Sequence, residues 1–173
     1  MIYLTSDLHF GHDKIIGHTG RPFQNADEMD RALIKNWNRT VTPRDEVYIL
    51  GDLTMKGPDF AAGVLGKLNG KKYLIRGNHD KFADNPNFPS ACLEWVRDYY
   101  ELAWQNQIFI LFHYPISEWN GYFKGSIDLH GHQHNHEEYN LENVENGLRR
   151  YDVGVDANGM KPVGIAEVAD FFA

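Results

Sequence analysis

Histidine and acidic residues of this chain recur in short motifs, and their types are those of metal ligands. The sequence contains nine histidines and a single cysteine. The motifs are Asp7-Leu8-His9, Gly51-Asp52, Gly77-Asn78-His79-Asp80, His113 and His130-Gly131-His132-Gln133-His134. Carboxylate, imidazole and amide ligands without sulfur suit borderline divalent ions such as Mn, Fe, Co or Zn. The motifs therefore predict a divalent metal centre.

The number of candidate ligands indicates two ions rather than one. The candidates are Asp7, His9, Asp52, Asn78, His113, His132 and His134. This set is too large for one tetrahedral zinc. It fits two ions about 3.5–4 Å apart that share one carboxylate and a hydroxide. We expect Asp52 to be the shared carboxylate.

The histidines also have a simpler interpretation, in which they are structural. A lone His9 or His113 is more often a buried structural histidine than a ligand. The alternating histidines from 130 to 136 would also fit one exposed face of a strand. The interruption by Gly131 and the other motifs favour ligand roles for His132 and His134. We expect His130 and His136 to be structural.

The elements that must position these residues are short strands. Apolar runs predict strands at 2–6, 46–50, 72–75, 108–112, 126–129 and 151–155, and a strand at 99–104 that pairs with 108–112. Each of the five motifs begins at the end of one of these strands. Because ligands of α/β sheets gather beyond the carboxyl ends of the strands, we expect one site. Gly51, Gly77 and Gly131 would allow close backbone approach beside the ligands.

Helices are predicted between the early strands. One begins at Asn25 or Asp27 and continues to about residue 39, and its buried face carries Met29, Leu33, Ile34 and Trp37. A second begins at Pro58 and ends near residue 68, and a third covers Ile165–Phe171. This alternation predicts parallel strands with helices on the sheet faces. The later strands lack intervening helices, so part of the sheet should be antiparallel or mixed. The predicted fold class is α/β.

Composition and charge exclude several classes of protein. A length of 173 residues with 42% hydrophobic and 24% charged residues predicts one globular domain, 1–173. Cys92 alone can form neither an internal disulfide nor a thiolate-rich metal site. No apolar run is long enough for a membrane span, and the first residues resemble a strand rather than a signal peptide. We therefore expect a cytoplasmic protein. The net charge of −7 disfavours broad nucleic-acid binding.

Taken together, the five motifs resemble the signature of the calcineurin-like metallophosphoesterase superfamily. They span residues 7 to 134 in the order of that family, with Gly57 five residues after Asp52. Any one motif alone would be a weak match. The opening Asp7-Leu8-His9-Phe10-Gly11-His12, followed by Arg21-Pro22-Phe23, resembles a compact bacterial or phage branch of predicted phosphoesterases.

This resemblance implies a fold and a division of the ligands. The implied fold is an αββα four-layer sandwich with two mixed β-sheets. Two divalent ions (Mn, Fe, Zn, Ni or Co) are implied, one held by Asp7, His9, Asp52 and His134 and the other by Asp52, Asn78, His113 and His132. Little of the chain remains for a cap domain, so the substrate pocket should be open or covered only by short loops.

The same resemblance implies the mechanism of a phosphohydrolase. A hydroxide bridging the ions would attack phosphorus. His79, which neither ligand set requires, would stabilise the transition state or protonate the leaving group, with Asp80 supporting it. Asn78, His12 and Arg21 are candidates for substrate binding. For His12 and Arg21 a surface ion pair or a contact at a helix start is the alternative. Asp156 and Asn158 could shape the rim of the site, hold a histidine or simply form a turn.

Two functions of different classes remain open at this point. The first is a metal-dependent phosphohydrolase that prefers phosphodiesters, acting on a small phosphate ester or nucleotide. A nucleic-acid end is less favoured because of the negative charge. The second is a metal-binding scaffold for protein interactions with the same fold and little catalysis. Either a monomer or a homodimer would be compatible with the sequence.

Overall fold

Two β-sheets and five α-helices make up the protein, for which a computed structural model describes residues 1–173. The strands are β1 (Ile2–Thr5), β2 (Glu46–Leu50), β3 (Lys71–Ile75), β4 (Trp95–Arg97), β5 (Tyr99–Trp104), β6 (Gln107–Phe112), β7 (Ile127–His130), β8 (Arg150–Asp152) and β9 (Val163–Gly164). The helices are α1 (Asp13–Thr19), α2 (Ala26–Thr40), α3 (Pro58–Leu65), α4 (Glu137–Glu145) and α5 (Ile165–Phe171).

Both sheets are mixed. The first has the strand order β4-β3-β2-β1-β9 and the second β5-β6-β7-β8. Strands β1 to β4 are parallel, and only β9 runs against them. In the second sheet β6, β7 and β8 are parallel, and β5 is antiparallel to β6. The carboxyl ends of the parallel strands in each sheet therefore lie along one edge.

Side-chain alternation along the first sheet divides the apolar core into two layers. Val47 and Ile49 of β2 pack with the helices, together with Met29, Leu33 and Trp37 of α2. Tyr48 and Leu50, the alternate residues of β2, point the other way, onto Phe109 and Leu111 of the second sheet. Because successive strand residues face opposite sides, one short strand contributes to both layers. The first sheet is therefore buried between helices and the second sheet.

The outer face of the second sheet is covered by a polar contact with α4. Asn140 of α4 donates to the Asp152 carbonyl (3.1 Å) and accepts from the Asp152 amide (2.7 Å). His130 of β7 lies 3.1 Å from the Tyr139 hydroxyl. Hydrogen bonds thus take the place of an apolar stripe in this layer.

Several predicted elements are confirmed. Helix α2 begins after Asn25, whose side chain accepts from the Glu28 amide. The predicted bounds of β2, β5 and α5 agree with the structure, and the fold class of two mixed sheets with helices is confirmed. The predicted strand 151–155 is shorter, since it ends at Asp152, and α3 ends at Leu65 rather than near residue 68. The sequence did not predict α1, α4, β4 or β9. None of the helices combines the length and apolar character needed to cross a membrane.

Candidate metal centre

The carboxyl edges of the two sheets meet at the motifs. Ser6, which follows β1, pairs with Gly154 beyond β8, and its carbonyl accepts from the Val155 amide (3.1 Å). The chain turns sharply at each motif, and five candidate ligands have positive φ: Asp7 (57°), His9 (51°), Asp52 (56°), His132 (70°) and His134 (52°). Non-glycine residues seldom adopt this conformation, and such strain concentrates at functional sites.

Glycines allow the turns to approach one another, as the sequence predicted. Gly51 has φ +92°, and a Cβ placed there would collide with the His113 ring and with the Gly77 backbone. A Cβ at Gly131 would collide with Ser6 and with the Asp7 carboxylate. These two positions therefore require a residue without a side chain.

The first group of candidate ligands comprises Asp7, His9 and His134. His9 Nε2 lies 3.9 Å and His134 Nε2 3.8 Å from Asp7 Oδ1. These separations are too long for hydrogen bonds. They suit atoms that share one cation, because each protein ligand lies about 2.0–2.2 Å from a bound divalent ion.

Without a bound cation, burying the polar atoms of this first group is energetically unfavourable. Asp7 Oδ1 and both ring nitrogens of His9 are buried and have no hydrogen-bond partner. Burial raises the pKa of Asp7 to about 8. Burial, with the nearby His134 and Arg21, lowers the pKa of His9 to about 2. Unpaired polar atoms in such surroundings are unfavourable. A divalent cation would satisfy Asp7 Oδ1 and His9 Nε2, so these residues fit a metal ion.

The second group comprises Asp52, His113 and His132. His113 Nε2 lies 3.6 Å from Asp52 Oδ2 and 3.0 Å from Asn78 Oδ1. His113 Nδ1 bonds to the Leu50 carbonyl (2.7 Å), so this nitrogen donates and Nε2 carries a lone pair toward the group. The donor set of carboxylate, imidazoles and amide oxygen again suits a borderline divalent ion.

Asp52 lies between the two groups. Its Oδ2 is 3.5 Å from His9 Nε2 and 3.6 Å from His113 Nε2. Its Oδ1 accepts from the His79 amide at 3.0 Å, which holds the carboxylate in place. This position is the one that a carboxylate shared by two ions requires.

His79 and Asp80 have separate surroundings. The His79 side chain is 36% exposed, with Nε2 3.9 Å from Asp52 Oδ2. The buried Asp80 accepts from the backbone amides of Asp52 (2.8 Å), Leu53 (2.9 Å) and Gly77 (2.9 Å). Burial raises the pKa of Asp80 to about 6. Support of the His79 ring by Asp80 is therefore wrong: the carboxylate joins the loops that carry Asp52 and Asn78.

His12 lies beside the first group of candidate ligands, whereas the Arg21 side chain is buried. The His12 ring centroid is 5.5 Å from that of His9, and burial together with the charge of His79 lowers the pKa of His12. The Arg21 side chain is fully buried and forms an ion pair with Asp156 (Nε to Oδ1, 2.8 Å). Arg21 is thus unable to reach a substrate, and the alternative of a surface ion pair is also wrong because the pair is internal.

Ser6 and Tyr114 were not singled out as functional by the sequence, whereas Asp156 was. Ser6 Oγ donates to Asp7 Oδ2 (2.6 Å), and the His132 amide donates to the same oxygen (2.8 Å). Tyr114 packs its ring against His132, with centroids 4.6 Å apart. Asp156 holds His134 (Oδ2 to Nδ1, 2.8 Å), which was one of the roles left open for it. The only sign in the sequence that Tyr114 lies at the site is its position directly after His113.

A family model described as calcineurin-like phosphoesterase matches residues 1–160, which include every ligand of both groups. The chain belongs to the calcineurin-like phosphoesterase family. Membership supports a metal-dependent phosphoesterase, and the two ligand groups agree with the divalent ions typical of this family.

Individual relatives extend the similarity along nearly the whole chain. An uncharacterized protein of Methanocaldococcus jannaschii is 39% identical over 95% of this chain and 86% of its own. The Gene 66 protein of Mycobacterium phage D29 is 31% identical over 90% of this chain and 88% of its own. A solved structure, a protein of unknown function from Aquifex aeolicus, has TM-score 0.73 at 26% identity and covers 98% of both chains. Chains similar to this one thus occur in Methanocaldococcus jannaschii and in a mycobacteriophage.

Proposed function

We propose that this calcineurin-like phosphoesterase is a phosphodiesterase that uses two divalent ions. The observation that carries the proposal is the place of Asp52 Oδ2, 3.5 Å from His9 and 3.6 Å from His113, between two groups of ligands. Asp7, His9, Asp52 and His134 would hold one ion, and Asp52, Asn78, His113 and His132 the other. Mn, Fe, Zn, Ni and Co all suit these donors. When bound, such ions supply a water-derived nucleophile near neutral pH and neutralise phosphoryl oxygens.

The residues at the exposed side of the centre would handle the substrate. His79 is the imidazole beside Asp52 that neither ligand set needs, and its side chain is 36% exposed. We assign His79 to proton donation to the leaving oxygen. His12 and Asn78 would contact the remaining phosphoryl oxygens.

The charges around the centre favour a diester over a monoester. A monoester carries a second negative charge near neutral pH, and a fixed guanidinium is well suited to bind it. Two arginines near the motifs are occupied by carboxylates: Arg21 by Asp156, and Arg76 by Asp84 and Asp98. The substrate class that best fits is a diester of a small molecule or nucleotide.

Hydrolysis of model esters tests this proposal. Metal-stripped protein is supplied with Mn²⁺, Ni²⁺ or Zn²⁺ singly and assayed on bis-p-nitrophenyl phosphate and p-nitrophenyl phosphate. We expect metal-restored turnover of the diester in preference to the monoester. Turnover of the monoester alone would contradict the diester assignment. Absence of turnover with every metal, in protein shown to hold two ions, would favour a binding scaffold.

The role of His79 is tested by changing the leaving group. A residue that protonates the leaving oxygen increases the rate strongly when the leaving group is an alkoxide. It has little effect on p-nitrophenolate, which leaves readily as an anion. We expect His79→Ala to lower kcat about 10²–10⁴-fold on a dinucleotide, as is typical for loss of acid catalysis, and far less on the nitrophenyl diester. His18→Ala, at an exposed histidine of α1, is the control. Equal losses on both substrates would contradict proton donation.

A further inference from the structure

The ion pair between Arg21 and Asp156 joins two parts of the chain that are 135 residues apart. Two hydrogen bonds of 2.8 Å form it, from Arg21 Nε to Asp156 Oδ1 and from Nη2 to Oδ2. The exposed fraction of the side chain is 0% for Arg21 and 2% for Asp156. Isolating such charges from water is costly, and a buried pair is weak evidence for stability. Because stability explains this ion pair poorly, we ask which functional residues it contacts.

Both partners reach candidate ligands of the same ion. Asp156 Oδ2 lies 2.8 Å from Nδ1 of His134. Arg21 donates from Nη2 to the Asp7 carbonyl (2.6 Å) and from Nη1 to the Leu8 carbonyl (3.1 Å). The turn that carries Asp7 and His9 and the ring of His134 are thus held by one pair of side chains.

The pair also determines which nitrogen of His134 is free. Asp156 accepts two hydrogen bonds from the Arg21 guanidinium, and its Oδ2 faces Nδ1 of His134 at 2.8 Å. The carboxylate therefore accepts the Nδ1 proton of His134. Nε2 is then directed toward Asp7 Oδ1, 3.8 Å away. By contrast, the second-group ligand His113 is oriented by a neutral carbonyl, that of Leu50.

We propose that Arg21 and Asp156 are positioning residues for the ion of the first group and do not serve the second group. The inference rests on the proposed function, because it assumes that Asp7, His9 and His134 hold a metal. Partners of this kind orient a ligating histidine, and their loss typically weakens metal affinity about 10–100-fold.

The protein offers a matched control. Arg150 and Asp128 form a second ion pair around an equally buried aspartate, through one hydrogen bond (Nε to Oδ2, 2.8 Å) rather than two. This pair lies on the outer face of the second sheet, away from both ligand groups. Asp128→Asn therefore removes a comparable ion pair without touching a candidate ligand.

The test is a titration of metal-stripped protein with Co²⁺, followed by visible absorbance, which reports the coordination of each ion. His134→Ala and His132→Ala identify the binding steps of the first and second groups. We expect Asp156→Asn to weaken the first-group step about 10–100-fold and to leave the second step unchanged. Asp128→Asn should leave both steps unchanged.

A double variant separates positioning from folding. Asp156→Asn alone leaves the buried Arg21 charge without its partner, so Arg21→Met is added to remove that charge. We expect the double variant to fold and still to show the selective loss. Unchanged affinity in either variant, or equal weakening of both steps, would overturn the inference. Failure of the native protein to bind Co²⁺ would instead overturn the proposed function, before any variant is compared.

Discussion

At the scale of single residues, the candidate metal centre contains buried polar atoms that have no hydrogen-bond partner. Asp7 Oδ2 accepts from Ser6 and from the His132 amide, whereas Oδ1 has no partner. One oxygen of this carboxylate is thus held by hydrogen bonds, and the other is left free to bind a metal ion. The same division applies to Asp52, whose Oδ1 accepts from the His79 amide.

Burial of Asp7 leads to a prediction for the metal-free protein. The pKa of Asp7 is about 8 in the folded protein, above the ordinary 3.8. The contribution of Asp7 to the free energy of unfolding is therefore fully present below pH 3.8 and is lost as the pH rises toward 8. Asn at this position keeps an oxygen for Ser6 and His132 and removes the charge. We expect Asp7→Asn to raise the melting temperature in EDTA by several degrees near pH 8, and by less near about pH 5.

The control for this prediction is Asp128→Asn, at a buried aspartate that is paired with Arg150. Removing its charge leaves the arginine unpaired, so we expect this variant to be less stable than the native protein. A metal-free Asp7→Asn protein less stable than the native one near pH 8 would contradict the account of Asp7.

Residue roles differ in how far the sequence could predict them. The sequence could predict that the candidate ligands lie together because each follows a strand end. Arg21 and Asp80 were misinterpreted because their partners are set by burial, which a motif does not reveal. The partner of Arg21 is 135 residues away, and Asp80 binds backbone amides, which have no sequence signature.

At the scale of elements, the site depends on how closely the turns after β2 and β3 approach. Helices with an apolar face, such as α2, were predicted well from periodicity. Helix α4 was missed because its buried residues are Asn140 and Asn143, which give no apolar stripe. Strand β9 has two residues, too few for a pattern. These two elements are held by hydrogen bonds to specific partners, Asp152 for α4 and strand β1 for β9, rather than by an apolar face.

The close approach of the turns is tested by Gly51→Ala. The new Cβ would meet His113 and Gly77 and would also adopt a positive φ, +92°. Strain of this kind costs about 1–3 kcal/mol, and the clash adds to it. We expect the free energy of unfolding, measured by urea denaturation, to fall by at least about 2 kcal/mol, with loss of metal binding.

Gly63→Ala provides the comparison. Gly63 lies within α3 and has open space around its Cα. Alanine there should stabilise the helix by about 0.5–1 kcal/mol. If Gly51→Ala proved as stable as Gly63→Ala, the turns would not be packed as described.

At the scale of the whole molecule, each ligand group draws on both sheets. Asp7 and His9 follow β1 of the first sheet, and His134 follows β7 of the second. Asp52 follows β2, whereas His113 and His132 follow β6 and β7. The α/β pattern predicted that strand ends would meet at one edge. It could not predict the docking of the two sheets, because the core layer between them mixes residues from distant parts of the chain.

We expect each of these two groups to hold a divalent ion. A crystal structure of the native protein with Mn²⁺, with an anomalous difference map, would locate the ions themselves. We expect two peaks about 3.5–4 Å apart, one among Asp7, His9 and His134 and the other among Asp52, His113 and His132, with Asp52 in contact with both. A map with no peak, a single peak or peaks outside these residues would contradict the account.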